Sequence, residues 1–366
     1  MTPLDQLLQV DNTHKEIVNV IRLVSLLLLL LIALSCSKES DMIYSPYIHK
    51  EYIYKGQLHC HSNKSDGNGT PAQVFNAYKK LGYDFVCLTD HDIFAGENAT
   101  PKPDGTELFS LAGVEETHAE HIGRIGSDVG IVSDNAQVII NDIVAKGGVA
   151  NICHPHLVGM DATALLAITG YDLMEIKNYM VEDVWNSYKG TDESLWDQVL
   201  ASGRLVWGVA VDDTHVMDRD LGFTSVMVYA NSKDEILDSL RNGNFYTMEK
   251  DGSLINKIDL VGTTLYIEVS DASDFDFIGS GGVFQKNIGV KSTYYKITGE
   301  EGYLRVRITN SASGKHTWMQ PMITGLNSSM VNYNVKILSE TGRVVIGSPI
   351  ATLFEDGRVG VITGVS

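Results

Sequence analysis

The 366-residue chain carries 28 basic against 46 acidic residues, a net charge of -18, with 44% hydrophobic and 20% charged residues. The length exceeds what one compact core normally needs, so two domains or one large barrel with an appendage is expected, and the composition excludes a fibrous or low-complexity chain. The acidic excess repels a nucleic-acid polymer over most of the surface, so no long nucleic acid is expected as a partner. Of the four cysteines, Cys36 belongs to the leader described next, while Cys60, Cys87 and Cys153 each sit in a short apolar run. That odd remainder argues against a disulfide framework and for small buried thiols.

In chain order, the first element is an apolar run over 23–34, broken only by Ser25 and preceded by Lys15 and Arg22. It is too short for a stable bilayer-spanning helix and has the length of a signal-peptide core. Its end, Ala33-Leu34-Ser35-Cys36, resembles the lipobox of bacterial lipoproteins, in which the cysteine is acylated and becomes the mature N-terminus. The resemblance implies a signal peptide over 1–35, lipidation at Cys36 and a polar tether over 36–51. It also implies attachment to a membrane of the bacterial cell envelope, at the outer membrane or the periplasmic face. An uncleaved anchor or a buried helix is the competing reading.

From residue 52 short β-rich runs alternate with helical patterns. Strands are predicted over 52–58, 85–89, 108–114, 149–153, 173–176, 205–211 and 224–229, with helices opened by Thr70-Pro71, by Ser133 or Asp134, by Asp192 and by Ser232. Seven strands with intervening helices predict an α/β region over 52–250, as a parallel barrel or an open doubly wound sheet. No GxGxxG follows the first strand and no Walker A motif occurs, so nucleotide-binding folds lose their usual support. Beyond 252 the helical patterns stop. Strands over 257–260, 265–269, 294–297, 303–308 and 335–338 predict a small C-terminal β-sandwich over 252–366.

Eight of the 11 histidines (His59, His61, His91, His118, His121, His154, His156 and His215) fall at or just past the end of a predicted strand. In a parallel barrel the carboxyl ends of the strands form one face, so residues far apart in sequence converge there. His59-Cys60-His61 puts two imidazoles on one face of a strand while Cys60 points the other way. Asp213-Thr214-His215 repeats that spacing with a carboxylate and an imidazole, and Ser65-Asp66-Gly67 adds an acid after His61. Thr89-Asp90-His91-Asp92 closes the second strand, with His91 the expected ligand and Asp90 an orienting group. Glu115, His121 and His154 complete nine donors. Each alone reads as a surface acid, a cap or a turn residue. Gathered in one cleft they need metal to offset desolvation and mutual repulsion.

These segments, with the run 82–92, Gly113-Val114-Glu115 and His154-Pro155, resemble the motifs of the PHP (polymerase and histidinol phosphatase) domain over roughly 52–250. The resemblance implies a distorted seven-stranded TIM-like (β/α) barrel holding two or three divalent ions, Zn, Mn or Fe, and hydrolysis of phosphoesters. Carried over, it implies metal ligands at His59, His61, Asp66, His91, Glu115, His121, His154, Asp213 and His215. The implied division is His59, His61, Glu115 and Asp213 on one ion, Glu115, His121 and His154 on a second, and Asp66, His91 and His215 on a third. His118 competes with His121 for its place. The segments 235–246, 303–307 and 318–321 are similar to the CehA/McbA-like branch, in which a β-sandwich follows the barrel.

The expected reaction uses a metal-activated hydroxide and no protein nucleophile, with His59, His61 and Asp213 holding the metal that activates it. Arg124, Lys177, Arg219 and His156 are candidates to contact the substrate phosphate, and Glu175 is expected to tune the pocket without ligating. The expected partner is a small phosphomonoester or phosphodiester. The alternatives are a carboxyl or carbamate ester hydrolase using the same site, or a non-catalytic binding lipoprotein.

Overall fold

The computed structural model describes residues 42–95, 108–127, 132–326, 335–336, 350–354 and 359–363. Cys36, the apolar leader and most of the 94–107 loop lie outside the described residues, as do 337–338 of the last predicted strand. Strand β1 (Met42–Ser45) opens the described chain and buries Ile43 and Tyr44, so part of the segment expected as a polar tether is a strand. Its apolar pair finds cover by pairing on both edges, with 322–326 and 359–363.

Next, β2 (Tyr52–Gln57) leads through α1 (Pro71–Lys80) to β3 (Phe85–Cys87), which runs parallel to it, and β4 (Phe109–Leu111) lies parallel to β3. Helix α1 begins where Thr70-Pro71 predicts. Thr70 accepts from Gln73 N while the Gln73 side chain reaches back to the Thr70 amide, and Val74, Phe75 and Tyr78 face inward. The single strand predicted over 108–114 is instead two, because the chain breaks at Ala112 and β5 (Gly113–Glu116) joins a second sheet. There β6 (Ile122–Ile125) pairs antiparallel with β5 and with β7 (Val149–Ile152). The sequence pattern gives no strand at β6, since Ile-Gly-Arg-Ile is four residues long with a glycine and a charge inside it. Helix α2 (Ala136–Ala145) joins β6 to β7. Its cap is Asn135, whose side chain accepts from Val138 N, and not Ser133 or Asp134; Ser133 instead accepts from the Asn135 amide.

The second sheet continues in parallel through α3 (Ala162–Ala167), β8 (Leu173–Asn178), α4 (Glu193–Ala201) and β9 (Trp207–Val211). After α5 (Met217–Asp220), β10 (Thr224–Ala230) returns antiparallel to β2, and α6 (Ile236–Arg241) leads to β11 (Phe245–Glu249), antiparallel to β10. The sheets are therefore mixed, where an all-parallel arrangement is expected from the sequence.

Strand alternation gives the second sheet a core on each face. Leu173, Trp207, Val209 and Val211 pack inward with Leu58, Phe85, Val226 and Phe245 from the first sheet. Ala150, Ile152, Met174 and Ile176 pack outward against Ile139, Ile143 and Trp196 of the helices. The sheets meet at two isolated parallel bridges, Cys60 to Thr214 and His91 to Glu115, which gather the carboxyl ends of β2, β3, β5 and β9 at one end.

The C-terminal region is antiparallel: β12 (Ile255–Val261), β13 (Thr264–Gly279), β14 (Gly282–Lys296), β15 (Tyr303–Asn310), β16 (His316–Met319) and β17 (Met322–Leu326). The β13–β14 hairpin far exceeds the strands predicted at 265–269 and 294–297. Asp271, Asp274 and Asp276 interrupt the apolar run, yet Phe275 and Phe277 alternate with them and are fully buried. Because β16 pairs with β11, the hydrogen-bond ladder crosses residue 252 unbroken. Arg305 further ties this region to α4, reaching Asp197 at 2.7 Å and Glu193 at 3.1 Å.

Candidate metal centre

The end marked by the two bridges collects all nine expected ligands. Glu115 stands at the centre: Oε2 lies 3.1 Å from His59 Nε2, 3.4 Å from His61 Nε2 and 3.0 Å from His91 Nδ1. Its other oxygen, Oε1, lies 2.8 Å from His121 Nδ1 and 3.1 Å from His154 Nε2. Asp213 Oδ1 is 3.2 Å from His59 Nε2 and 3.1 Å from His61 Nε2. Asp66 Oδ2 sits 3.4 Å from His91 Nε2 and 3.2 Å from His215 Nε2. Depth divides the set. His59, His61, Glu115, His154 and Asp213 are buried, while the exposed Asp66 and the half-buried His91, His121 and His215 form the rim. The donor groups overlap and differ in part from the expected division, since His91 joins Glu115 and His121 while His154 joins His59 and Asp213.

The donor chemistry fits divalent cations. Glu175 Oε1 is 2.7 Å from His59 Nδ1, and its two oxygens also accept from Asn151 Nδ2, His154 N and Asn178 Nδ2 at 2.8–3.1 Å. Four donors fix Glu175 as a carboxylate, so His59 carries a proton on Nδ1 and turns Nε2 toward three acceptors at once. One proton on Nε2 satisfies only one of them; an ion satisfies all. Similarly, His91 Nδ1 meets Glu115 Oε2 at 3.0 Å without hydrogen-bond alignment, as two ligands of a common ion do.

Electrostatics are correspondingly steep. Burial opposes ionisation of Glu115, but the imidazoles of His59, His121 and His154 outweigh it and hold the carboxyl well below its usual range. Burial likewise opposes the Asp213 charge, but His59 and His61 outweigh it and hold that carboxyl low as well. His59 is disfavoured as a cation by burial yet raised well above the ordinary value by Asp213, Glu115 and Glu175. Burial dominates at His61 and lowers it.

Three of the nine residues, His121, His154 and Asp213, adopt positive φ of 48°, 28° and 53°. Such backbone costs of order 1–3 kcal/mol at a non-glycine residue and persists only where its surroundings enforce it. Here the surroundings are the hydrogen bonds that His154 N donates to Glu175 Oε2 and Asn178 Nδ2 donates to Asp213 Oδ2, the latter at 3.1 Å. Asp90 holds the preceding loop, accepting from Ser62 N and Oγ and from Ser65 Oγ at 2.7–2.8 Å, which sets the approach to Asp66. Asn151 and Asn178 go unread in the sequence. For Asn151 the available signal is a lone amide inside an otherwise apolar buried strand, on the same face as Glu175; Asn178 ends a strand that also carries Glu175 and Lys177 and gives no such signal.

Each of the four candidate phosphate contacts pairs with a carboxylate outside the nine-residue cluster. Because Glu115 pairs with Gly123 and Val114 with Arg124, Arg124 shares its sheet face with Glu116 and turns away from Glu115. It is fully buried, 2.9 Å from both Glu116 and Asp142. Lys177 is buried against Glu182 and Asp183. His156 lies 2.6 Å from Asp192, and Arg219 is exposed beside Asp220. His118 turns outward, with Nδ1 3.0 Å from Asp92 Oδ1, so His121 takes the place at Glu115. Cys60, Cys87 and Cys153 are buried free thiols, raised by burial; Cys153 lies beside His59 and Glu175.

No family model and no curated protein matches the chain. Among solved structures it is similar to a two-domain protein from Bacteroides vulgatus containing a predicted PHP-like metal-dependent phosphoesterase. That similarity has 13% identity and a TM-score of 0.40, over 87% of this chain and 98% of that one. It is also similar to an amidohydrolase from Chromobacterium violaceum with bound sulfate and no metal, at 18% identity and TM-score 0.34, over 46% of this chain and 89% of that one. At such TM-scores the chemistry of the site rests on its own residues.

Proposed function

We propose that this chain is a metal-dependent hydrolase that cleaves small phosphomonoesters or phosphodiesters, using two or three divalent ions held by the nine-residue cluster. The reading is carried by the meeting of His59 Nε2, His61 Nε2, Glu115 Oε2 and Asp213 Oδ1 at 3.1–3.4 Å. Divalent ions supply Lewis acidity toward an ester oxygen and make a water acidic enough to act as nucleophile near neutral pH.

The chain's own part is to hold the donors still and leave one side open. Glu175 and Asn178 aim His59 and Asp213 from behind, while the rim of Asp66, His91, His121 and His215 borders the approach. Two or three divalent ions outweigh the three ligand carboxylates, so the loaded cleft favours an anionic phosphoester over a neutral carboxyl or carbamate ester. A lipid anchor at Cys36 would place this chemistry in the cell envelope, where small phosphoesters are nutrients or envelope fragments.

The test is a panel of p-nitrophenyl phosphate, its bis-ester, p-nitrophenyl acetate and a p-nitrophenyl carbamate, with wild type and His59→Ala. Turnover of the phosphoesters is expected, lost on chelation and in His59→Ala and regained by the wild type with Mn or Zn. His59-dependent turnover of only the acetate or carbamate would replace the reading with the ester hydrolase. No turnover with any metal would favour a binding lipoprotein.

A further inference from the structure

The β13–β14 hairpin turns at Ser280-Gly281, between the paired Gly279 and Gly282. Just past the turn the register slips: Val283 opposes Ile278 but Gln285 opposes Phe277, so Phe284 is an extra residue on β14. Regular alternation would turn one of two neighbours inward, whereas this bulge leaves Val283 and Phe284 both exposed, at 56% and 40%. No charged residue occurs over 278–285, and Lys286 follows, its ammonium 3.2 Å from Asp276. The place of this tip follows from the strand registers. Tyr303 of β15 pairs with Ile323 of β17, whose Leu326 pairs with Met42, and on its other edge β15 sets Arg305 opposite Ile278. The start of β1 and the tip therefore share one end of the sheet, three strand spacings of about 4.8 Å apart. Only residues 37–41 separate Met42 from Cys36, a span of at most about 20 Å. That end is remote from the cluster. Arg307 lies 3.4 Å from Glu193, next to Asp192 and its partner His156, while Tyr303 donates to Asp197 at 2.8 Å, a turn farther along α4.

We propose that the hairpin tip, Ser280 to Phe284, dips into the lipid surface that holds Cys36, with Lys286 at the level of the headgroups. The inference rests on the lipobox reading of Cys36 and not on the reaction at the cluster. An exposed apolar pair on an uncharged turn gains by entering the boundary between headgroups and acyl chains. Lys286, two residues behind Phe284, supplies attraction to anionic headgroups that a net charge of -18 otherwise opposes. The exposed Glu300 on the adjoining turn confines entry to the tip. Because the tether already holds the tip near the surface, this weak second contact sets orientation more than affinity. With the tip and β1 toward the lipid, the metal cluster opens away from it, toward dissolved substrate. The competing occupant is a second copy paired along β14, which among the described residues pairs with β13 alone. Lys286, Lys291 and Lys296, on a strand without acids, oppose that pairing by like charge.

The experiment places a nitrobenzoxadiazole label at Val283→Cys, at Phe284→Cys and, in the turn at the other end of β15, at Ser311→Cys. Each full-length chain, purified from membranes, is reconstituted into phosphatidylethanolamine–phosphatidylglycerol vesicles, and mass spectrometry reports the acylation of Cys36. The thiols of Cys60, Cys87 and Cys153 are buried and stay unlabelled. The labels at 283 and 284 should shift to blue emission and be quenched by brominated acyl chains, while the label at 311 should do neither. Aqueous emission at 283 and 284 would overturn the proposal, and with Cys36 acylated it would leave the anchor intact. Entry of all three labels alike would overturn it as well. So would a blue shift that appears without vesicles as protein concentration rises, the sign of a second copy at β14. Entry at 283 and 284 in a chain found unacylated, with Cys36→Ser keeping that site unlabelled, would uphold the tip and sink the anchor.

Discussion

Glu175→Gln probes the support behind the cluster with one atom changed. The carboxylate accepts four hydrogen bonds, from His59 Nδ1, Asn151 Nδ2, His154 N and Asn178 Nδ2. Burial opposes its charge, but His59 and His154 hold its pKa below the ordinary value. A glutamine keeps one accepting oxygen and turns an NH2 toward the remaining two donors. At about 1–3 kcal/mol per buried unsatisfied donor, the variant loses roughly 1–6 kcal/mol of stability, the low end where the His59 ring changes tautomer. If the NH2 faces His59, the ring must move its proton to Nε2, and the lone pair aimed at the cluster disappears. If it faces His154 N and Asn178, the supports of His154 and Asp213 are lost instead. Either orientation should weaken metal affinity about 10–100-fold. Chelator competition measures the affinity, and urea unfolding in excess chelator measures the stability separately. A folded variant binding Mn or Zn within twofold of wild type would refute the reasoning that Glu175 positions the ligands.

Arg124→Met should destabilise the protein by about 3–5 kcal/mol, because it strands the buried Glu116 and the half-buried Asp142. KM for phosphoesters should hold in the folded fraction; a raised KM at unchanged stability would restore Arg124 as a phosphate contact. Burial, followed by the charge of Glu175, raises Asp192 to about 7, so the folded carboxyl keeps a proton that the unfolded chain releases near pH 4. This contribution to stability is full below that pH and fades as pH rises toward 7, so Asp192→Asn should flatten the decline in urea midpoint between pH 4 and 7; parallel profiles would contradict it. For the leader, mass spectrometry of protein from membranes should find acylated Cys36 at the N-terminus, and intact residues 1–35 would exclude the anchor.

Much of the cluster is legible in the sequence because its donors sit at strand ends with short internal spacing. The pairs His59/His61 and Asp213/His215 need only strand alternation to share a face, and that local rule survives the changes in sheet order. The same rule misleads where the register is unknown. Arg124 lies three residues beyond His121 and looks available to substrate, but its pairing opposite Val114 turns it to the helix-covered face. The split at Ala112 and the antiparallel β6 are equally hidden, since both depend on which sheet edge is free. Asn151 and Asn178 depend on contacts across 24 and 35 residues of sequence, which no local pattern records.

What sets this end of the fold apart is that its strain and its hydrogen bonds coincide. Positive φ at His121, His154 and Asp213 places donors where relaxed backbone would not, at a cost of order several kcal/mol in all. Two of the three are braced by the one network of Glu175 and Asn178, while His121 leans directly on Glu115. A loop ordered only by metal would need no such bracing within the protein. The bracing therefore implies donors preorganised by the polypeptide, so that binding energy is not consumed in folding the loops around the ions. The polar residues that achieve this are buried on the inner face of β7 and β8, between two apolar cores, and there an incomplete network would be more costly than none.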